Sequence, residues 1–154
     1  MTGSPLLVAY PDGKDIRTSL RFTSHYNMPA PYAGNATVKQ ITSSMNATSF
    51  ALTFHCRDCL HWSQNGTTGS VATSEGLLDF GYAQSLRAPG NPSCPQKLRL
   101  AQHEAHGTWT ALLEDSAANE AYVNWRALAK HTVPSRCHIN HMNNRNGTCS
   151  RVVR

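Results

Sequence analysis

Residues 5–22 read PLLVAYPDGKDIRTSLRF, and their pattern decides the fold class. Residues 5–10 are a short apolar run closed by a turn, which reads as a strand covered on both faces. Pro11-Asp12-Gly13 supplies the turn chemistry: proline presets φ, aspartate bonds nearby backbone, and glycine reaches conformations closed to other residues. Residues 16–22 then alternate. Ile16, Thr18, Leu20 and Phe22 fall on one face, and Arg17, Ser19 and Arg21 on the other. The pair of runs predicts an antiparallel hairpin whose second strand turns its arginines to solvent.

The same grammar continues outward. Residues 27–34 hold Pro29, Pro31 and Gly34 and read as a loop. Residues 36–41 read as a modest strand, and residues 49–55 alternate through Phe50, Leu52 and Phe54. Residues 64–69 read as a turn, residues 77–83 as a strand, and residues 88–95, with three prolines, as irregular chain. One segment has helical spacing: Ser116 as its cap, then Ala118, Ala121, Tyr122, Trp125 and Leu128 on one face. About six short strands with one late helix predict an all-β antiparallel sandwich of immunoglobulin-like shape. There is no internal repeat.

The 154 residues suit one domain. Apolar residues at 40% suffice for a core, and charged residues at 15% exclude a disordered polyelectrolyte. The net charge of +5 invites a nucleic-acid reading, so its location matters. Residues 1–127 hold nine Lys/Arg and nine Asp/Glu; the excess is Lys130, Arg136, Arg145, Arg151 and Arg154. Five scattered cations without interleaved aromatics support only weak, salt-sensitive attraction to nucleic acid, so no nucleic-acid partner is expected. Residues 128–154 are expected to be a disordered basic tail. No run is long enough for a membrane helix, so no membrane span is expected in this chain.

Asn35, Asn46 and Asn65, with Asn146 in the tail, each open a glycosylation sequon. Together with Cys56-Arg-Asp-Cys59 they point to a secreted, extracellular protein whose signal peptide lies outside this sequence. The Cys-x-x-Cys is one residue short of a c-type haem motif, because Leu60 stands where His is required. It follows an alternating strand rather than opening a helix, so it reads as a small disulfide loop rather than a redox site. Of the remaining cysteines, Cys137 and Cys149 are a possible pair, leaving Cys94 as a free thiol. His103 and His106 lie three apart, but Gly107 and Thr108 argue against a sustained helix that would make them zinc ligands. Four aromatics, Tyr26, Tyr32, Trp62 and Trp109, offer a second reading: a haem-free β-sandwich module that stacks carbohydrate.

Four stretches occurring in order carry a resemblance: MTGSPLLVAY (1–10), RFTSHY (21–26), NATSFALTFHCRDCLHW (46–62) and QHEAHG (102–107). Over residues 1–127 the chain resembles the haem-b cytochrome domain of cellobiose dehydrogenases and the related iron-reductase-like, DOMON-like sandwiches. The resemblance implies haem b held between Met1, before an LLVA-type strand, and His103, in a His-x-x-x-Gly segment. It implies Tyr26 as a pocket tyrosine near a haem propionate, and it matches Cys56, Cys59 and Trp62 as family features. A Met/His pair fills both axial positions and raises the potential of the iron, which suits one-electron transfer rather than substrate turnover. The implied donor is a flavin dehydrogenase domain or protein, and the implied acceptor a copper polysaccharide monooxygenase or another one-electron acceptor. No Gly-x-Gly-x-x-Gly fingerprint is present, so this chain is expected to be the carrier only. Family members have strands before the ligand methionine, so the sequence reads as an N-terminally truncated domain.

Overall fold

The computed structural model describes residues 3–113 and 120–137. Nine strands and one α-helix follow in chain order: β1 (Pro5–Asp12), β2 (Asp15–Phe22), β3 (Ala30–Pro31), β4 (Thr37–Met45), β5 (Phe50–Arg57), β6 (His61–Gln64), β7 (Thr67–Ser70), β8 (Leu77–Gln84), β9 (Ala105–Leu112) and α1 (Glu120–Leu128). All described pairings are antiparallel: a three-stranded sheet β1-β2-β3 and the hairpins β4-β5, β6-β7 and β8-β9. The architecture is the expected all-β one.

The β1–β2 hairpin forms in the register the turn demands, with Asp12 opposite Asp15 and Pro5 opposite Phe22. Gly13 closes it at φ 67°, a left-handed conformation open to glycine without strain. Residues 64–69, expected as a turn only, are a small hairpin whose loop is Asn65-Gly66. Both loop residues have positive φ (52° and 76°), the geometry of a type I′ turn, which suits the right-handed twist of the flanking strands. Residues 105–112 carry no strong alternation, yet they form β9 because β8 offers a full-length partner from Leu77–Leu112 to Gln84–Ala105.

Three glycines sit under aromatic rings. A Cβ at Gly69 would meet Trp62 at 2.4 Å, one at Gly107 would meet Tyr82 at 2.7 Å, and one at Gly34 would meet Tyr32 at 2.1 Å. Trp62–Gly69 and Tyr82–Gly107 are direct cross-strand pairs, so each ring covers its bare partner.

The core forms around β2, and here alternation misleads. Ile16 and Phe22 are buried as expected, but Arg17 and Arg21, expected in solvent, are each only 2% exposed. A second layer covers that polar face. Tyr10 donates its hydroxyl to Pro92 O at 2.9 Å; Arg17 Nη1 donates to Pro134 O at 2.7 Å and Nε to Asp12 Oδ2 at 2.5 Å. Arg21 donates to Ser19 Oγ at 3.0 Å, to Pro29 O at 3.2 Å and to Pro95 O. Backbone carbonyls of irregular chain, lacking sheet partners, thus find donors in the long guanidinium arms.

Residues 131–137, expected as part of the disordered tail, lie along the body. His131 exchanges two backbone hydrogen bonds with Gln40, and Arg136 N donates to Ser93 O at 2.8 Å. Cys94 is joined to Cys137 by a disulfide, which corrects the expected Cys137–Cys149 pair and the free Cys94 thiol. The 3₁₀ turn Pro95–Lys97 and the carbonyl–arginine bonds bring two sequence-distant segments side by side, a proximity that spacing along the chain does not reveal. Cys149 and the rest of residues 138–154 lie outside the described residues, as do Ser116 and Ala118 of the expected helix start.

Elsewhere the apolar faces stand open. Phe80 and Trp109 stack with centroids 4.6 Å apart, yet Trp109 is 52% exposed, and Leu112, Trp125 and Leu128 are also exposed. No helix among the described residues is long and apolar enough to cross a membrane.

Candidate functional site

Three of the expected site residues come from three different parts of the chain, and one loop connects their neighbourhoods. Met1 lies outside the described residues, but Gly3 does not. Its N–H donates to Thr23 O at 2.8 Å, and its carbonyl accepts from Trp62 Nε1 at 2.7 Å. The backbone two residues beyond Met1 is therefore pinned between the end of β2 and the start of the β6–β7 hairpin. Gly3 has φ 78°, which turns the chain sharply into β1.

Thr23 begins the loop of residues 23–29. Its hydroxyl accepts the His25 N–H at 3.2 Å, which folds the loop back on itself. Tyr26 projects from this loop and is 95% exposed. Two residues on, Met28 Sδ accepts the N–H of Leu100 at 3.5 Å. This contact ties the tyrosine loop to the segment that leads into His103. Thus one end of the loop touches Gly3 and the other touches the histidine segment.

His103 stands just before β9, in the chain stretch that β9 aligns. Glu104 N donates to Gln84 O at 3.0 Å, extending the β8–β9 ladder by one bond. The Glu104 carboxylate accepts the Leu86 N–H at 3.1 Å, and this bond, with help from the Ser85 hydroxyl, holds it below the usual carboxylate range. The His103 ring is exposed and meets His106 edge-on, with centroids 5.2 Å apart. Among the described residues no hydrogen bond reaches the His103 ring, and no group of three His, Cys, Asp or Glu side chains gathers as a metal site.

The donor set fits haem b. Among the described residues the His103 ring and the Tyr26 hydroxyl have no hydrogen-bond partner; an imidazole is a ligand type that haem iron accepts, and a tyrosine hydroxyl is a donor suited to a propionate. Met28, Thr23 and the Trp62–Gly3 bond are the residues that spacing does not find. Trp62 is visible only through its place after the Cys-x-x-Cys, and nothing in the sequence joins Met28 to Leu100. Cys56 and Cys59 are linked by a disulfide with Cα atoms 5.8 Å apart, closing the turn that leads from β5 into β6 and so aims Trp62.

The four aromatics of the carbohydrate reading are parcelled out differently. Trp62 covers Gly69 and bonds Gly3, Tyr32 covers Gly34 and lies against Phe22, Trp109 stacks on Phe80, and Tyr26 stands alone in the loop. Asn35, Asn46 and Asn65 are all exposed. Asn46 Oδ1 accepts the backbone N–H groups of Thr48 and Ser49, so that sequon sits in a tight side-chain-capped turn between β4 and β5.

Known proteins match this framework. The family described as the cytochrome domain of cellobiose dehydrogenase matches residues 1–124. The cytochrome domain of Myriococcum thermophilum cellobiose dehydrogenase superposes with a TM-score of 0.83 at 43% identity, over 86% of this chain and 64% of that one. The cytochrome b domain of pyranose dehydrogenase from Coprinopsis cinerea shares the fold, with a TM-score of 0.63 at 24% identity, over 83% of this chain and 64% of that one. A pyrroloquinoline quinone-dependent pyranose dehydrogenase of Coprinopsis cinerea is 32% identical over 96 residues, which is 62% of this chain and 13% of that protein. The chain therefore spans less than two thirds of each of these relatives.

Proposed function

The chain belongs to the family of cellobiose dehydrogenase cytochrome domains, and from that premise we propose that it is an extracellular electron carrier that binds haem b through Met1 and His103. An electron-transfer role comes with the family. The observation that carries the ligand assignment is the His103 segment: an exposed imidazole with no hydrogen-bond partner among the described residues, connected through Leu100, Met28 and the tyrosine loop to the Gly3 backbone.

When bound, haem b supplies a one-electron iron couple. The protein's own groups set how that couple is used. Met1 and His103 are the residues that would hold the iron, and a thioether with an imidazole would suit it to passing single electrons rather than to binding oxygen or a substrate. A neutral thioether favours the ferrous state and raises the potential. Tyr26, exposed and with no hydrogen-bond partner among the described residues, would donate to a carboxylate of the group. The Trp62–Gly3 bond fixes the backbone that follows Met1, and the cross-strand cover of Gly107 by Tyr82 fixes β9 just after His103.

The donor in this reading is a dehydrogenase domain, of the flavin type that the resemblance implies, and the acceptor is a copper polysaccharide monooxygenase or another one-electron acceptor. Secretion is supported by two disulfides and three exposed sequons at Asn35, Asn46 and Asn65. Reconstitution with haemin tests the core of the proposal. The wild-type chain is expected to give the absorption of a six-coordinate low-spin haem. His103→Ala, or Met1→Leu behind a short N-terminal extension, is expected to lose that low-spin spectrum. A folded wild-type chain that develops no Soret band with haemin overturns the assignment.

A further inference from the structure

Of the three sequons among the described residues, Asn46-Ala47-Thr48 is the one folded on itself. It lies wholly on the connection between β4 and β5, and residues 46–49 are all exposed. Asn46 N donates to Ser49 O at 2.9 Å and closes the turn. The side-chain Oδ1 accepts the N–H of Thr48 at 2.9 Å and that of Ser49 at 2.8 Å. The Thr48 and Ser49 hydroxyls donate to the same oxygen at 3.2 Å and 3.1 Å. A backbone N–H can only donate, so the atom it meets is the oxygen, and every hydrogen bond of this amide falls there. Among the described residues Nδ2 has no partner.

The other two sequons are built differently. In Asn35-Ala36-Thr37 the middle residue is buried and Thr37 opens β4 opposite Arg57. In Asn65-Gly66-Thr67 the asparagine has φ 52° in the β6–β7 turn, and Thr67 pairs with Gln64. Both threonines belong to a strand ladder, and neither asparagine side chain is bonded to its own threonine among the described residues. The bonds at Asn46 span only two or three residues, so they form without waiting for distant parts of the chain.

A carboxamide nitrogen is a poor nucleophile until it gives up a proton. Donors on the carbonyl oxygen favour the form that carries charge on that oxygen, and so make the Nδ2 protons easier to remove. We propose that Asn46 takes an N-linked glycan ahead of Asn35 and Asn65, because its own turn polarises the amide. In that step Nδ2 forms a bond to C1 of the first sugar of an oligosaccharide carried on a lipid pyrophosphate. The bond from C1 to the pyrophosphate oxygen breaks, the lipid pyrophosphate leaves with the electron pair, and a base of the transferase takes one Nδ2 proton. The site rests on the extracellular reading, since only a chain on the secretory route meets that donor.

Expression of the full chain behind a cleavable signal peptide in a eukaryotic secretory host tests it. Enzymatic removal of glycans in heavy-oxygen water leaves a mass label on each asparagine that carried one, and peptide mass spectrometry reads Asn35, Asn46 and Asn65 separately. Asn46 is expected to be labelled in the largest fraction of molecules. Asn46→Gln is expected to move more of the protein to a faster-migrating band than Asn35→Gln or Asn65→Gln does. Ser49→Pro keeps the sequon and removes both Ser49 donors; it is expected to lower occupancy at Asn46 and leave that at Asn65 unmoved. Secreted protein with Asn46 unlabelled, or labelled less often than Asn35 or Asn65, overturns the proposal and leaves the extracellular reading standing. Occupancy at Asn46 unmoved by Ser49→Pro overturns it equally. Protein retained in the cell with Asn46 labelled above the other two upholds the site and counts against the extracellular reading instead.

Discussion

The outer face of β1–β2 and the β8–β9 hairpin with α1 are opposite cases. The first is rich in polar and charged residues and is buried; the second is rich in aromatic and aliphatic residues and is open. Tyr10, Arg17, Ser19 and Arg21 disappear beneath two irregular segments, while Trp109, Leu112, Trp125 and Leu128 remain in contact with water. Hydrophobicity did not choose which face closed. Long donors reaching partnerless carbonyls, a backbone bridge to Gln40 and a disulfide did. The lesson is that a β face closes only where another piece of chain has a specific reason to lie there.

Several experiments break or sharpen that contrast. The largest effect is expected from Cys94→Ser with Cys137→Ser. That disulfide spans 43 residues, and chain entropy assigns it about 4 kcal/mol, measured as a lower urea midpoint. Removing the Cys56–Cys59 bridge, which spans 3, should cost only about 1.5 kcal/mol on the same scale. Equal losses would show that tying residues 131–137 to the body contributes nothing to closing the polar face.

Next comes Arg21→Met. It strands the carbonyls of Pro29 and Pro95 under a buried apolar chain, and the expected loss is about 2 kcal/mol by thermal or urea unfolding. A neutral outcome would mean that apolar burial alone can close this face. On the open side, Trp109→Ala should cost about 1 kcal/mol, the worth of a stacked pair, against about 3–5 kcal/mol for an aromatic in a closed core.

A smaller effect is expected from acid. The Asp12 carboxyl is held below its ordinary 3.8, first by the Ser93 hydroxyl and then by Arg17. Its folded value is below its unfolded one, so its contribution is present above the ordinary value and is lost as pH falls through the folded value. The melting temperature should drop across that acid window, and Asp12→Asn should flatten the slope there. Smallest of all, Leu86→Ser in the open region is expected to stay within about 0.5 kcal/mol, since the side chain is 86% exposed.

Much of the fold was legible before any coordinates. Alternation located β2 and β5, the Pro-Asp-Gly turn located the first hairpin, and the spacing of Tyr122, Trp125 and Leu128 located α1. β6, β7 and β9 escaped because their residues carry little periodic apolarity: two of the three contain a glycine covered by a cross-strand ring, a feature of pairing rather than of sequence. The site divides in the same way. The Cys-x-x-Cys was readable as a short motif, while His103, Tyr26 and Trp62 entered through the family resemblance. Met28 on Leu100 and Trp62 on Gly3 were not readable, because each joins residues far apart in sequence.

By itself the sequence determined the class of fold and the absence of a flavin fingerprint, because periodicity and short motifs are local properties of a chain; the candidate ligands came from the family resemblance. Only the tertiary structure decided that the arginine face of β2 is interior, that Cys94 pairs with Cys137, and that His131 bridges to Gln40 through two backbone hydrogen bonds. Those outcomes depend on which distant segment reaches an unpartnered hydrogen-bonding group first. Nothing in the local pattern of residues records that geometry.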